Sequence, residues 1–95
     1  MSEGTDHRGF CPVCGYRTLP RYPRQTRFSV CDVCCWEDDL IQLENPLSGD
    51  GANPVSLREA RENFREFGAC HRELIASTRE PTAEEGRDPN WPYER

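Results

Sequence analysis

Cys11-Pro12-Val13-Cys14 and Cys31-Asp32-Val33-Cys34 are two C-x2-C pairs with sixteen residues between them. Two residues between cysteines let a tight turn aim both sulfurs at one point. Two such turns supply the four thiolates of a tetrahedral metal site, at a separation that suits a zinc module. Gly15 follows the first pair at a position where the turn calls for positive φ. Pro12 pre-sets φ inside the turn. The spacing therefore predicts a structural zinc ion held by Cys11, Cys14, Cys31 and Cys34, one per chain.

Three other uses of the same cysteines are weaker. A redox dithiol normally opens a helix in a βαβ unit, whereas here each pair opens a hairpin. Iron in a rubredoxin-like knuckle expects a second glycine-bearing turn and a longer separation. Structural disulfides need an oxidising compartment. The start of the chain, MSEGTDHRGF, has no hydrophobic signal region, and no apolar run reaches membrane-spanning length, so the expected setting is cytoplasmic.

Composition gives the metal its importance. Of 95 residues, only sixteen are Leu, Ile, Val or Phe. That is below the roughly 20% at which a chain begins to read as disordered. A structural zinc supplies roughly 10–16 kcal/mol in small peptides at neutral pH, against a net domain stability of about 5–15 kcal/mol. Residues 10–36 should therefore be unfolded or molten without metal.

The charge is unevenly spread. All twelve basic residues are arginine, and the net charge is −5. Residues 1–30 carry +3, residues 31–50 carry −6 and residues 51–95 carry −2. An acidic total disfavours generic attraction to nucleic acid or to an anionic membrane.

Outward from the cysteines, residues 1–9 read as a flexible terminus. Residues 10–79 read as one domain, and 80–95 as an extended Pro-rich, acidic arm ending in Trp91-Pro92-Tyr93. Short strands are expected over 16–19 and 27–30, with Phe28 and Val30 on one face. Pro20 and Pro23 mark the loop between them. Asn45 to Pro54 reads as a loop. Ser56 and Glu59 form a capping box for a helix whose Leu57, Ala60, Phe64 and Phe67 fall on one buried stripe, with Gly68 as the C-terminal cap. A second short helix is expected over 69–78, carrying Leu74 and Ile75. The fold class is thus a small α+β domain: a four-cysteine zinc ribbon, with two knuckles on a short β-hairpin, then one or two helices and an extended C-terminal arm.

Two cysteines are left over. Cys35 adjoins Cys34 and would replace it as ligand if the turn slipped; otherwise it is a small thiol beside Trp36. Cys70 suits helix-end packing, with His71 exposed and His7 in the loose terminus.

The runs Cys-Pro-Val-Cys-Gly-Tyr, Cys-Asp-Val-Cys-Cys-Trp-Glu-Asp-Asp and Ala-Asn-Pro-Val-Ser-Leu-Arg-Glu-Ala-Arg-Glu-Asn-Phe, with Arg87-Asp88-Pro89-Asn90-Trp91, resemble the bacterial cysteine-rich CPCC family over roughly residues 10–91. Val13 stands where the family's namesake carries another cysteine, and Cys35 where a bulky residue is usual. The resemblance implies zinc binding and, for some members, a role as immunity proteins beside toxins.

Function is read from what remains. A closed four-thiolate zinc offers no open position to a substrate, and no nucleophile has a histidine base, so an enzyme is not expected. Glu37, Asp38 and Asp39 beside Trp36 form an acidic docking face, a weak site for a second cation, or, as expected here, a solvated acidic turn. Arg17, Arg21, Arg24 and Arg27, interleaved with Tyr22 and Phe28, form a basic arm able to grip phosphate or acidic protein, or, as expected here, a solvated hairpin tip. Trp91 and Tyr93 either dock on a partner or cover their own domain. The leading expectation is a zinc-stabilised protein-binding module, such as an immunity-type inhibitor. The alternatives are a nucleic-acid-binding ribbon using the arm of residues 17–27, and a redox or electron-transfer protein using the C-x2-C pairs.

Overall fold

Residues 11–15 and 31–35 fold into the same tight turn, as seen in a computed structural model that describes residues 9–19 and 29–93. In the first turn Gly15 N–H donates to Cys11 O (2.8 Å) and Cys11 N–H to Tyr16 O (2.9 Å). In the second, Cys35 N–H donates to Cys31 O (2.7 Å) and Cys31 N–H to Trp36 O (2.9 Å). Each knuckle is closed by one antiparallel bridge, Phe10 with Arg17 and Val30 with Glu37.

The expected β-hairpin does not extend beyond these closures. Among the described residues β pairing is confined to isolated bridges, the third joining Tyr16 to Arg87. The reason lies in where the amides of residues 16–19 go. Thr18 N–H turns back to Tyr16 O (2.9 Å), and Leu19 N–H bonds Gly9 O (3.0 Å). Arg17 N–H is taken by Gly86 O (3.1 Å), from the far end of the chain. Arg27 and Phe28 of the second expected strand lie outside the described residues, as do residues 1–8 and the arginines at 21 and 24.

A helix forms where an acidic stretch was expected: α1, Leu40–Glu44. Asp39 starts it, its Oδ1 accepting from Ile41 N (2.9 Å) and Gln42 N (3.3 Å), which satisfies donors that a helix start leaves open. The same carboxylate reaches across the following loop, Oδ2 accepting from Ala52 N (2.8 Å). That loop is held by a buried amide network. Gln42, fully buried, donates from Nε2 to Ser48 O (3.2 Å) and Val55 O (3.1 Å). Its Oε1 accepts from the backbone N (3.2 Å) and the side-chain Nδ2 (2.9 Å) of Asn53. Asn53 in turn pairs with the backbone of Glu37, accepting on Oδ1 and donating from Nδ2, both at 2.8 Å. Every polar atom of the two amides has a partner, the condition under which such a network stabilises a core rather than weakening it.

Helix α2, Leu57–Phe67, begins and ends where its caps dictate. Ser56 Oγ accepts from Glu59 N (3.1 Å), and Gly68 takes φ 82° while its N–H bonds Phe64 O (2.9 Å). Leu57 and Ala60 are fully buried and Phe64 packs against the core at its edge. Phe67, expected in the core, is instead half-buried, with the Arg72 guanidinium 4.9 Å above its ring. The second short helix forms as a 3₁₀ helix, Arg72–Ser77, capped by His71 Nδ1, which accepts from Glu73 N (3.2 Å). Leu74 packs against the core and Ile75 is exposed.

The C-terminal arm returns to the first knuckle. Asp88 N–H donates to Gly15 O (2.8 Å), beside the bridge from Arg87 to Tyr16. Trp91 closes over Gly15 so tightly that a β-carbon there would lie 2.6 Å from its ring. Tyr93 sits edge-on to Trp91 at 5.1 Å between ring centres. Near the start of the arm, Arg79 forms a bidentate pair with Glu85 (2.8 Å on both oxygens), and this pairing holds the Glu85 carboxyl down at about 2. Of the two expectations for Trp91 and Tyr93, covering their own domain is the one found.

No helix among the described residues is long and apolar enough to cross a membrane.

Candidate metal centre

The two knuckles bring four sulfurs together at the middle of the core. The ligand atoms of Cys11, Cys14, Cys31 and Cys34 all lie within 4.8 Å of one another, and all four residues are fully buried. Cys11 Sγ is 3.6 Å from Cys34 Sγ, and Cys14 Sγ is 3.7 Å from Cys31 Sγ. No described cysteine is in a disulfide. A tetrahedral ion with metal–sulfur bonds of about 2.3 Å requires sulfur–sulfur edges of about 3.8 Å. The donor set thus has the size, number and chemistry that such an ion demands.

The surroundings favour thiolate at one sulfur already. Cys31 accepts from the neighbouring Cys11, Cys14 and Cys34 thiols and, with a smaller effect, from Thr18 Oγ1 (2.8 Å), which holds its pKa far below the thiol range. Burial pushes Cys11 and Cys34 the other way, well above it. A bound cation would override the effect of burial by stabilising all four anions. Val13 N–H points at Cys11 Sγ (3.4 Å).

Two arginines grip the first knuckle from outside. Arg61 Nε, on α2, donates to Pro12 O (2.8 Å), and Arg87 Nε, on the returning arm, donates to Cys14 O (2.8 Å). Both guanidiniums are stacked on aromatics: Arg61 at 4.2 Å from the Tyr93 ring centre, Arg87 at 4.8 Å from Tyr16 and 5.7 Å from Trp91. Burial lowers the Arg61 pKa, while Tyr93 and Cys11 work against that shift. The matching carbonyl of the second knuckle, Cys34 O, is bonded instead by the Cys70 backbone N–H (2.9 Å).

Cys35 is not a member of the cluster. It occupies the left-handed position of the second knuckle, φ 73°, where the first has Gly15 at φ 82°. The second turn is therefore a full counterpart of the first despite lacking glycine, so a missing second glycine is no argument against iron. Its half-buried thiol is directed at Leu74 O (3.9 Å), and burial raises its pKa. Cys70 is fully buried at the end of α2, its thiol pushed up to about 12, mainly by burial. Neither has the depressed pKa and exposure of a reactive thiol.

The acidic run is a correction. It is not a solvated turn: Asp38 is 4% exposed with its N–H on Ser29 O (2.7 Å), and Asp39 is occupied as the helix cap. Nor does it form a second cation site, since the four-cysteine group is the only metal-competent cluster among the described residues. The chain just beyond it exposes large apolar side chains, Leu40, Ile41 and Leu47 at 42%, 61% and 72%, beside the exposed Glu44 and Asp50. Of the basic arm, only Arg17 is described, lying 5.6 Å over the Phe10 ring.

Residues 9–85 match the family model described as cysteine-rich CPCC. No curated protein and no solved structure matches the chain.

Proposed function

The chain belongs to the cysteine-rich CPCC family, and from that premise we propose that it is a zinc-stabilised protein-binding module. The observation that carries this reading is the complete burial of Cys11, Cys14, Cys31 and Cys34 in a cluster of tetrahedral size. A thiolate site sealed in the core has no open coordination position, so its contribution is structural and the working chemistry lies on the surface. The same burial speaks against the redox alternative, which needs an accessible low-pKa thiol.

The surface best suited to a partner is the one around α1. The exposed Leu40, Ile41 and Leu47 stand beside the exposed acids Glu44 and Asp50, in a stretch, residues 31–50, that carries no arginine. An apolar patch set in acidic surroundings fits a basic protein surface, with the charges steering encounter and the apolar side chains supplying contact area. An immunity-type inhibitor of a basic toxin is the specific form this takes, in line with the family resemblance.

The test has two steps. Elemental analysis of native protein purified anaerobically should give one zinc per chain and no visible chromophore; a red iron spectrum would overturn the reading. The chain and its Ile41→Asp/Leu47→Asp variant are then offered to proteins of the same cell and to oligonucleotides. A one-to-one complex with a basic protein, lost in the variant, is expected. Salt-sensitive oligonucleotide binding with no protein complex would favour the nucleic-acid alternative instead.

A further inference from the structure

The zinc centre just proposed brings a charge problem that two residues are placed to solve. Four thiolates around a divalent ion carry a net charge of −2, in a site where all four cysteines are fully buried. Burying uncompensated charge is costly. Among the described residues, the groups other than the thiols that donate to the sulfurs, Val13 N–H and Thr18 Oγ1, are both neutral. Two cations, however, are fixed to the loop that carries the first ligand pair. Arg61 binds the carbonyl between the two cysteines, Pro12 O, and Arg87 binds the carbonyl of Cys14 itself, each at 2.8 Å.

The other described arginines are engaged elsewhere or stand in solvent. Arg79 is paired with Glu85, and Arg58 lies 3.7 Å from Glu62. Arg17 and Arg72 lie over Phe10 and Phe67, and Arg65 is exposed. Arg61 and Arg87 are reached over sequence separations of 49 and 73 residues, and aromatic rings hold their guanidinium planes in place. Their two charges match the −2 of the loaded site.

We propose that Arg61 and Arg87 form a charge clamp on the metal centre, neutralising the buried tetrathiolate and setting how tightly the ion is retained. They are positioning residues that act through the knuckle backbone and the local field, not ligands. Outer-shell partners of this kind typically change metal affinity by about 10–100-fold.

The test is competition of the loaded protein against a chromophoric chelator, with Zn2+ and, separately, Co2+. Wild type is compared with Arg61→Gln, Arg87→Gln, the double variant, and the corresponding lysine variants. About tenfold loss of affinity is expected for each glutamine variant and about 100-fold for the pair. The lysine variants keep the charge but give up the stacked plane and its Nε hydrogen bond, so they should fall between wild type and the glutamine variants. The ligand-field bands of the Co2+ forms should not move, since the four sulfurs are untouched. Circular dichroism of α2 at saturating metal establishes that each variant is folded. Glutamine variants at wild-type affinity would overturn the clamp, as would lysine variants as weak as the glutamine ones, which would assign the effect to packing. A wild-type chain that takes up neither ion would overturn the zinc reading itself, a result distinct from either of these.

Discussion

The two knuckles are one turn built twice and supported in two different ways. Both close an amide of residue five onto the carbonyl of residue one, both end in a left-handed residue, and both are followed by an aromatic, Tyr16 or Trp36. The first is covered by charge and aromatics: Arg61 from α2, and Arg87, Trp91 and Tyr93 from the far end of the chain. The second is covered without charge: by the Asn53 side chain on Glu37, the Cys70 amide on Cys34, and a fully buried Trp36. The turn therefore fixes where the sulfurs go but not what must surround it. The first knuckle depends on the arm of residues 80–93 staying in place, and the second on the loop of residues 45–55.

The comparison is tested hardest by removing the element the knuckles share. With zinc supplying roughly 10–16 kcal/mol and so few large apolar residues, chelation or a single Cys11→Ser or Cys31→Ser change should unfold both knuckles together. Amide NMR signals from residues 9–19 and 29–38 should collapse at the same chelator concentration. Persistence of the signals from 29–38 alone would mean that the Gln42–Asn53 network makes the second knuckle self-supporting, and the equivalence of the two would fail.

How much of this was readable in the chain follows a divide between near and far. The ligand set rests on spacings of three residues, and the start and end of α2 rest on Ser56, Glu59 and Gly68, all local signals. Asp39 was hidden because a capping aspartate inside Glu37-Asp38-Asp39 looks like one more charge; only Leu40 and Leu43 after it mark a helix. The Gln42–Asn53 pairing joins positions eleven apart through a loop with no repeating pattern. The return of Arg87 to Cys14 spans 73 residues, which no local propensity encodes. Phe67 shares the helical stripe with Leu57 and Ala60, but it sits on the last turn, beyond the reach of the sulfur core. Cys35 carries a signal that was available: aligning the two knuckles puts it on Gly15.

A smaller effect separates the supports. Gly15→Ala places a β-carbon 2.6 Å from the Trp91 ring, at φ 82°. Overpacking of about 1–3 kcal/mol adds to about 1–2 kcal/mol for a left-handed non-glycine residue, so a loss of about 3 kcal/mol is expected in denaturant unfolding of the zinc-loaded protein. Trp91 fluorescence should change along with it as the arm is displaced. A full loss of stability with Trp91 unmoved would show that backbone strain alone acts there, and that the arm is not the first knuckle's lid.

The smallest effect has the opposite sign and falls on the second knuckle. Cys35 holds φ 73° without being glycine, a conformation that costs an ordinary residue about 1–2 kcal/mol. Its thiol returns little: a long contact to Leu74 O at 3.9 Å and a half-buried position beside the core. Cys35→Gly relieves the strain and gives up that packing, while the added freedom of glycine in the unfolded chain takes back up to about 1 kcal/mol. The balance is a gain of at most about 1 kcal/mol, read as a slightly higher denaturant midpoint with metal content unchanged. Cys35→Ala keeps the strain and should not show the gain. A clear loss of stability or of zinc in Cys35→Gly would mean that the second knuckle needs this thiol, and that the two turns differ in their chemistry as well as in their covering.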